Sequence, residues 1–366
     1  MTKKIIVRSP SNLALIKYMG KEDFKNNLPS NPSLSVTLNN LCTVTEISSS
    51  HQSGKVVWKD ECPDTTNTSL DTDVKSFRFW EERLNEEQKQ RAIDFVYRSL
   101  PQIQELLFQF QIRFKIPGQI SIQSRNTFPS SCGIASSASA FSSLTFALAA
   151  SLVEDRNQFE QCCSEKDDFL NQLASISRLG SGSSCRSFAG PLVLWSRGDV
   201  KKFNHSFDPL VLFVLTLDSH AKNVSSSEAH RRVLSSYFWP ERQKLVSNRM
   251  NQFLHFLTEK NWNQCAQIVW DEMQEMHYLF HTAQPPFTYW TEKTFLALRQ
   301  IQTYFKTEEI FPWVTLDAGP NIHFLVQKQY RSYWREKLKK DFQEFSFFED
   351  KQGTGVEVIK FENYES

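Results

Sequence analysis

The chain has 366 residues, a length for two domains or one large one, and its 40% hydrophobic content supports a sizeable core. With 42 basic and 41 acidic residues the net charge is +1, which excludes a nucleic-acid or polybasic-membrane footprint and leaves anion binding to a local site. Seven cysteines, an odd number with no Cys-x-x-Cys spacing, argue against a disulfide framework or zinc site and for a reducing, cytoplasmic compartment.

The N-terminus runs into a short β-like segment without the apolar core of a signal peptide. Ser11–Lys21 carries Asn12, Lys17, Tyr18 and Lys21 around Gly20, and by itself reads as an exposed, lysine-decorated edge strand. Ser35–Leu38 and Thr43–Ile47 read as strands. Val74–Leu100 is charged and periodic, one or two exposed helices with Glu81–Arg91 as a solvated face. Ile112–Ile116 and Ile120–Gln123 alternate around Pro117-Gly118, a β-hairpin signal. Ile134–Val153 is long enough to span a membrane but carries six serines, and the apolar run Leu210–Leu217 is too short to span. Both read as buried elements, and no membrane partner is expected.

Helical spacing begins at Ser136, and a second helix is expected over Gln158–Arg178. Pro191–Trp195 and Leu210–Leu217 look like buried strands, and helices dominate Glu228–Tyr304, broken at Pro240 and Pro285-Pro286. Trp313–Leu316 and Ile322–Val326 are strands around an Asp-Ala-Gly-Pro-Asn turn, and Arg331–Phe342 is an amphipathic helix. Mixed strands and segregated helices argue for an α+β fold rather than a doubly wound sheet, with a boundary near residues 190–205.

Four segments carry chemistry. Pro129 to Ala138 is a Gly133-containing loop leading into a helix of small residues, with Ala135, Ser136 and Ser137 at its start. Unpaired N–H groups and the macrodipole make such a start a phosphate cradle, although an ordinary Ser-rich N-cap is equally compatible. No Gly-Lys-Ser/Thr follows, so it is not a Walker A loop. Gly180 to Ser187 places Ser181, Gly182, Ser183, Ser184 and Cys185 beside Arg186, which can bind a carboxylate or phosphate bidentately; the bland reading is a flexible loop. A serine-hydrolase elbow fails in both loops, at Ala135 and at Arg186. The lysines of Ser11–Lys21 can act as point charges for phosphate. Asp317, at a strand end, can be a general base, though an aspartate stabilising its own turn is commoner. His277 and His281 stand four apart but lack a third ligand nearby, and read as core or surface histidines.

Singly these segments are weak; their order is specific. Asn12 to Lys21, Pro129 to Ala138, Gly180 to Ser187 and Asp317 to Asn321, with lesser matches at Asn31–Leu38 and Met276–Tyr289, resemble the diphosphomevalonate decarboxylases, a branch of the GHMP kinase superfamily. The resemblance covers nearly the whole chain. It implies a two-domain GHMP fold, with a ribosomal protein S5 domain 2-like N-terminal domain over 1–195 and a ferredoxin-like domain over 196–366. It implies ATP, Mg²⁺, a homodimer and a site in the interdomain cleft. The reaction implied takes 5-diphosphomevalonate and ATP to isopentenyl diphosphate, CO₂, ADP and phosphate.

Carried over by the resemblance, Asp317 is the essential carboxylate and Lys17 the cation at the moving phosphoryl group. Arg186 takes the substrate carboxylate, and Tyr18, Lys21, Ser181 and Ser183 take its diphosphate. Asn12, Met19, Gly20, Gly182, Ser184, Cys185 and Ser227 complete the substrate set. Asn126, Pro129, Gly133, Ala135, Ser136 and Ser137 form the nucleotide set, with the hydroxyl of Ser136 or Ser137 on the metal. The sequence departs from the family at Met19 (usually Trp), Thr127 (usually Asn), and Cys132 and Ser184 (usually Ala). The family's arginine in the charged helical region has two competing counterparts, Lys75 and Arg78, and Lys222–Arg232 matches only loosely, through Ser226 and Ser227. Close alternatives are a phosphomevalonate decarboxylase and a mevalonate 3-kinase; a non-catalytic ATP-binding homologue is disfavoured because Lys17 and Asp317 are both retained.

Overall fold

The structure is a computed structural model and describes residues 2–50, 54–65, 84–129, 133–217 and 223–364. Its first half runs β1 (Thr2–Ile16), β2 (Lys21–Asp23), β3 (Leu28–Pro29), β4 (Ser33–Ser50), β5 (Val56–Trp58), α1 (Glu86–Gln109), β6 (Gln119–Asn126), α2 (Ser136–Leu152), α3 (Arg156–Glu165), α4 (Asp167–Ser177), β7 (Leu192–Ser196) and β8 (Asp199–Phe203). Its second half runs β9 (Leu210–Thr216), α5 (Ser226–Arg232), α6 (Trp239–Thr258), α7 (Trp262–Thr282), α8 (Glu292–Thr307), β10 (Trp313–Thr315), β11 (Ile322–Gln327), α9 (Arg331–Asp341), β12 (Ser346–Lys351) and β13 (Glu357–Tyr364).

A seven-stranded sheet takes the order β13-β1-β4-β6-β5, with β7 on β4 and β8 on β7. The long pair β1–β4 is its spine. Pro10 pairs with Cys42 but Asn12 pairs with Thr37, so β4 swells outward between those registers. The swelling is held by the buried Asp350 carboxylate, which accepts from the N–H groups of Asn39, Asn40 and Leu41 at 2.8–3.1 Å. Helices α1, α2 and α4 cover one face of this sheet through Phe95, Phe141, Leu148, Phe169 and Leu173. A four-stranded antiparallel sheet, β10-β11-β9-β12, packs against α7, α8 and α9 through Met273, Ile301 and Trp334. The mixed α+β architecture expected from the sequence is the one observed.

Several expectations are corrected. Ser11–Ile16 is not an exposed edge: it lies in β1, against β4, with Asn12 and Lys17 almost fully buried. Residues 112–116 and β6 form no hairpin. Phe114 instead bridges Val153 at the end of α2, and the Lys115 N–H donates to the Leu152 carbonyl, while β6 pairs with β4 and β5. Helix α1 continues through Pro101 to Gln109, because its buried apolar stripe (Phe95, Val96, Ile103, Leu106, Leu107) continues beyond the proline. The single helix expected over 158–178 is two, α3 and α4, meeting at Lys166. The helical run expected to break at Pro240 is interrupted just before it, at residues 236–238, and Pro240 stands in the first turn of α6, where its missing N–H has no cost.

Candidate active site

The end of β1 delivers Lys17 to the floor of a cleft of about 330 Å³. Lys17 is only 1% exposed, and its Nζ donates to Asp317 Oδ1 at 2.5 Å. Burial holds the Lys17 ammonium below its ordinary pKa, with Asp317 opposing the shift. Asp317 follows β10, and the tight turn is closed by the backbone, the Gly319 N–H donating to the Asp317 carbonyl at 2.8 Å. The side chain is thereby free to cross to Lys17, which removes the reading of an aspartate spent on its own turn.

The Lys17 peptide is clamped on both sides. Its N–H donates to Glu272 Oε1 at 3.0 Å, and its carbonyl accepts from Arg242 Nη2 at 3.2 Å. Arg242 and Glu272 are both 0% exposed and pair at 2.5 Å, and Arg249 and Glu275 extend the network.

Arg186 is 4% exposed and has no acidic partner among the described residues. Its Nε donates to Asn12 Oδ1 at 3.2 Å and its Nη1 to Ser33 Oγ at 2.7 Å, and its guanidinium lies over Trp195. Asn12 also donates to the Ser183 carbonyl and the Ser187 hydroxyl, so it orients the arginine loop from behind rather than lining the cleft. A buried guanidinium with no carboxylate in salt-bridge contact among the described residues and only the charge of Asp317 nearby, opening on a cleft, is chemically a receptor for a carboxylate or phosphate.

Helix α2 starts at Ser136 with Ala135 as N-cap, and no side chain caps its first turn. Gly133, at φ +74°, turns the chain into it. The Ala138 N–H donates to the Ala135 carbonyl at 2.7 Å, which leaves the N–H groups of Ser136 and Ser137 for an anion, and Gly133, Ala135, Ser136 and Ser137 line the cleft. The hydroxyls of Ser137, Ser181 and Ser183 form a chain with 3.1 Å links. Gly182 is needed for packing as much as for ligand approach, since a Cβ there would come within 2.9 Å of the Tyr18 ring. Tyr18 is buried, its hydroxyl has no hydrogen-bond partner among the described residues, and burial pushes its pKa up. Met19 packs with Met276, Phe280 and Ala229 in an apolar cluster at the cleft edge. Lys21 and Ser227 line the cleft.

Not every expected residue lines it. Ser184 bonds Ser177 and the Ser181 carbonyl behind the loop, and Cys185 is core, its thiol against the Ala174 carbonyl. Gly20 supports a turn from outside the cleft, and Asn126 closes β6 by accepting from Thr43. Pro129 is the last described residue before 130–132, and Cys132, Lys75, Arg78 and Lys222 lie outside the described residues. His277 stacks on Trp290 and His281 pairs with Thr288; no cluster of three metal-ligating side chains occurs among the described residues. The six described cysteines are free.

Of the lining residues outside the expected set, two have ionisable side chains, Arg91 and His230. Arg91, placed by the sequence on a solvated face, donates from Nη2 to the Gly180 carbonyl at 2.6 Å and lies over Phe141. Arg91 is itself exposed, as the sequence expects, but it stands one turn before the buried Phe95, which brings its guanidinium to the cleft rim. His230 on α5 is the other, and no local pattern marks it.

Residues 9–207 match the family described as diphosphomevalonate decarboxylase-like N-terminal domain, and residues 212–365 match the mevalonate 5-diphosphate decarboxylase C-terminal domain. A curated diphosphomevalonate decarboxylase from Ganoderma lucidum is 27% identical over 94% of this chain and 84% of its own length. The crystal structure of a mevalonate diphosphate decarboxylase from Legionella pneumophila is 31% identical, covers 94% of this chain and 100% of its own, and superposes with a TM-score of 0.73. The Enterococcus faecalis mevalonate diphosphate decarboxylase, described with mevalonate diphosphate-mediated ATP binding, shares the fold at 22% identity, covering 98% of this chain and 99% of its own with a TM-score of 0.73.

Proposed function

The chain belongs to the diphosphomevalonate decarboxylase family, and from that premise we propose that its cleft carries out the ATP-dependent decarboxylation of 5-diphosphomevalonate to isopentenyl diphosphate. The observation that carries this reading is the Lys17–Asp317 pair set in one cleft beside the buried guanidinium of Arg186, which forms no salt bridge among the described residues.

A tertiary hydroxyl is a poor leaving group. ATP supplies the phosphoryl group that turns it into one, and Mg²⁺ supplies positive charge on the phosphates. The uncapped first turn of α2 fits phosphates, so Gly133, Ala135, Ser136 and Ser137 are the residues to hold them, with the hydroxyl of Ser136 or Ser137 offered to the metal. Asp317 accepts the proton of the tertiary hydroxyl as its oxygen attacks. Lys17 places its ammonium where negative charge builds on the moving group, and the buried clamp on its peptide holds it there before substrate arrives. Arg186 holds the substrate carboxylate. When the C–O bond to the phosphate breaks, the electrons of the C–C bond to the carboxylate form the new double bond and CO₂ leaves. The Asp317 carboxylate also favours positive character at C3 during departure. Tyr18, Lys21, Ser181 and Ser183 collect the diphosphate, and Arg91 offers a further cation in the same cleft beside whichever of Lys75 and Arg78, both outside the described residues, stands for the family's arginine. The homodimer and the cytoplasmic location belong to this reading; among the described residues no helix is long and apolar enough to cross a membrane.

The test is release of CO₂ and ADP by purified protein with Mg-ATP and, separately, mevalonate, its 5-phosphate and its 5-diphosphate. Equimolar CO₂ and ADP with the diphosphate are expected, with Asp317→Asn lowering kcat by about 10²–10⁴-fold. The same products from the monophosphate alone would move the substrate, and ADP without CO₂ would make the chain a kinase. Inactivity on all three would overturn the reading.

A further inference from the structure

Tyr18 and Lys21 flank a turn at Gly20, whose φ of +77° favours glycine, and where a Cβ would meet the Trp239 ring at 2.0 Å. The Gly20 N–H donates to Nδ1 of His230 at 3.0 Å. That ring is 8% exposed and lies 4.4 Å from the Tyr18 ring, tilted by 40°. Because Nδ1 accepts, it carries no proton, so the neutral ring must carry its proton on Nε2. Burial, with Lys21 and Arg186 nearby, pushes the His230 pKa down to about 3, so the ring stays neutral at working pH. Nε2 has no protein partner among the described hydrogen bonds, and the residue lines the cleft.

This corner already holds Lys21, Arg91 and Arg186. A further cation would repel them; a neutral N–H adds a directed donor without that repulsion. We propose that His230 is a substrate-binding residue whose Nε2–H donates to a phosphate oxygen of the substrate's diphosphate, while its Nδ1 fixes the turn that presents Tyr18 and Lys21. The proposal rests on the diphosphate reading of the cleft.

Two isosteres separate the two nitrogens. His230→Gln reaches the Nε2 position with an amide donor; His230→Asn offers an acceptor near Nδ1 and no donor at Nε2. KM for the diphosphate substrate is expected to rise no more than about threefold in the Gln variant, which lowers the melting midpoint by leaving the Gly20 N–H unpaired, and to rise about tenfold or more in the Asn variant, which keeps the melting midpoint, with KM for ATP unchanged in both. A normal Asn variant with an impaired Gln variant would reduce His230 to a support for Gly20 and overturn the proposal, as would equal behaviour of the two. Long-range ¹H–¹⁵N spectra of the wild-type protein give a second readout. They should show the Nε2–H tautomer, with its resonance moving when inorganic pyrophosphate is added. An Nδ1–H tautomer, or no shift, overturns the proposal. Wild-type protein that releases no CO₂ yet shows the pyrophosphate shift would sink the decarboxylase reading and leave the His230 contact standing.

Discussion

At the scale of single residues, charge near the cleft mouth is tuned by burial. Lys21 is brought down to about 8, first by burial and then by Arg231 and Arg91. A depressed lysine pKa means that the charged form is lost earlier as pH rises. In the free enzyme Lys21 is therefore an ammonium below about pH 8 and a neutral amine above it. Binding a diphosphate raises the pKa again, because the anion favours the charged form. kcat/KM for the phosphorylated substrate should thus fall tenfold per pH unit above about pH 8, while kcat holds to higher pH. Lys21→Arg should remove this limb, since a guanidinium keeps its charge throughout. A pH–rate profile of the two proteins checks this; an unchanged limb in the arginine variant would assign the titration elsewhere.

At the scale of elements, the catalytic lysine depends on helices far from it in sequence. Arg242 comes from α6 and Glu272 from α7, and both grip the peptide of Lys17 at the end of β1. The Arg242–Glu272 pair has no exposure, and removing Glu272 leaves two arginines, Arg242 and Arg249, sharing the single carboxylate of Glu275 in a buried network. Glu272→Ala should lower stability by about 3–5 kcal/mol. It should also lower kcat more than it raises KM for either substrate, because the displaced group acts on the moving phosphoryl group. Urea unfolding with steady-state kinetics reads both effects. Glu272→Gln keeps an acceptor for the Lys17 N–H and should recover much of kcat while remaining less stable than wild type. A gain in stability without loss of kcat in Glu272→Ala would show that the network does not position Lys17.

At the scale of the whole molecule, the cleft is built from both halves. Lys17, the start of α2 and the Gly180–Arg186 loop come from the first, and Ser227, His230 and Asp317 from the second. The two halves are also tied through the chain's end: β13 pairs with β1, and Asp350 of β12 holds the swelling in β4. A ligand that bridges the cleft should therefore stabilise one cooperative unit. Substrate at about 100 times its Kd should add about 2.7 kcal/mol and move the entire thermal transition upward. Calorimetry showing two transitions, only one of which moves, would place the binding energy in one half.

Much of this was legible in the amino-acid order. Periodicity marked α2, β7, β9, β11 and α9, and the composition separated strands from helices well enough to indicate α+β. The glycine and serine segments and Asp317 could be read as site residues because their chemistry is local: a loop before a helix, a strand end before a turn. Where neighbours in space are distant in sequence, that reading ended. Ser11–Ile16 looked like an exposed edge because a single strand cannot show that β4 will cover it. Residues 112–116 looked like half of a hairpin because their bridge to Val153 at the end of α2 leaves no local trace. Asn12, Ser184 and Cys185 are near the motif but not in the cleft, since neighbours in a loop face opposite ways once it packs. Arg91 and His230 have roles set by what they face across the cleft. The order of residues alone therefore determined the family, the chemistry on offer and most of its carriers. Only the tertiary structure decided which of them meet, because burial, the Lys17–Asp317 pair and the clamp on Lys17 arise when segments more than 200 residues apart are packed together.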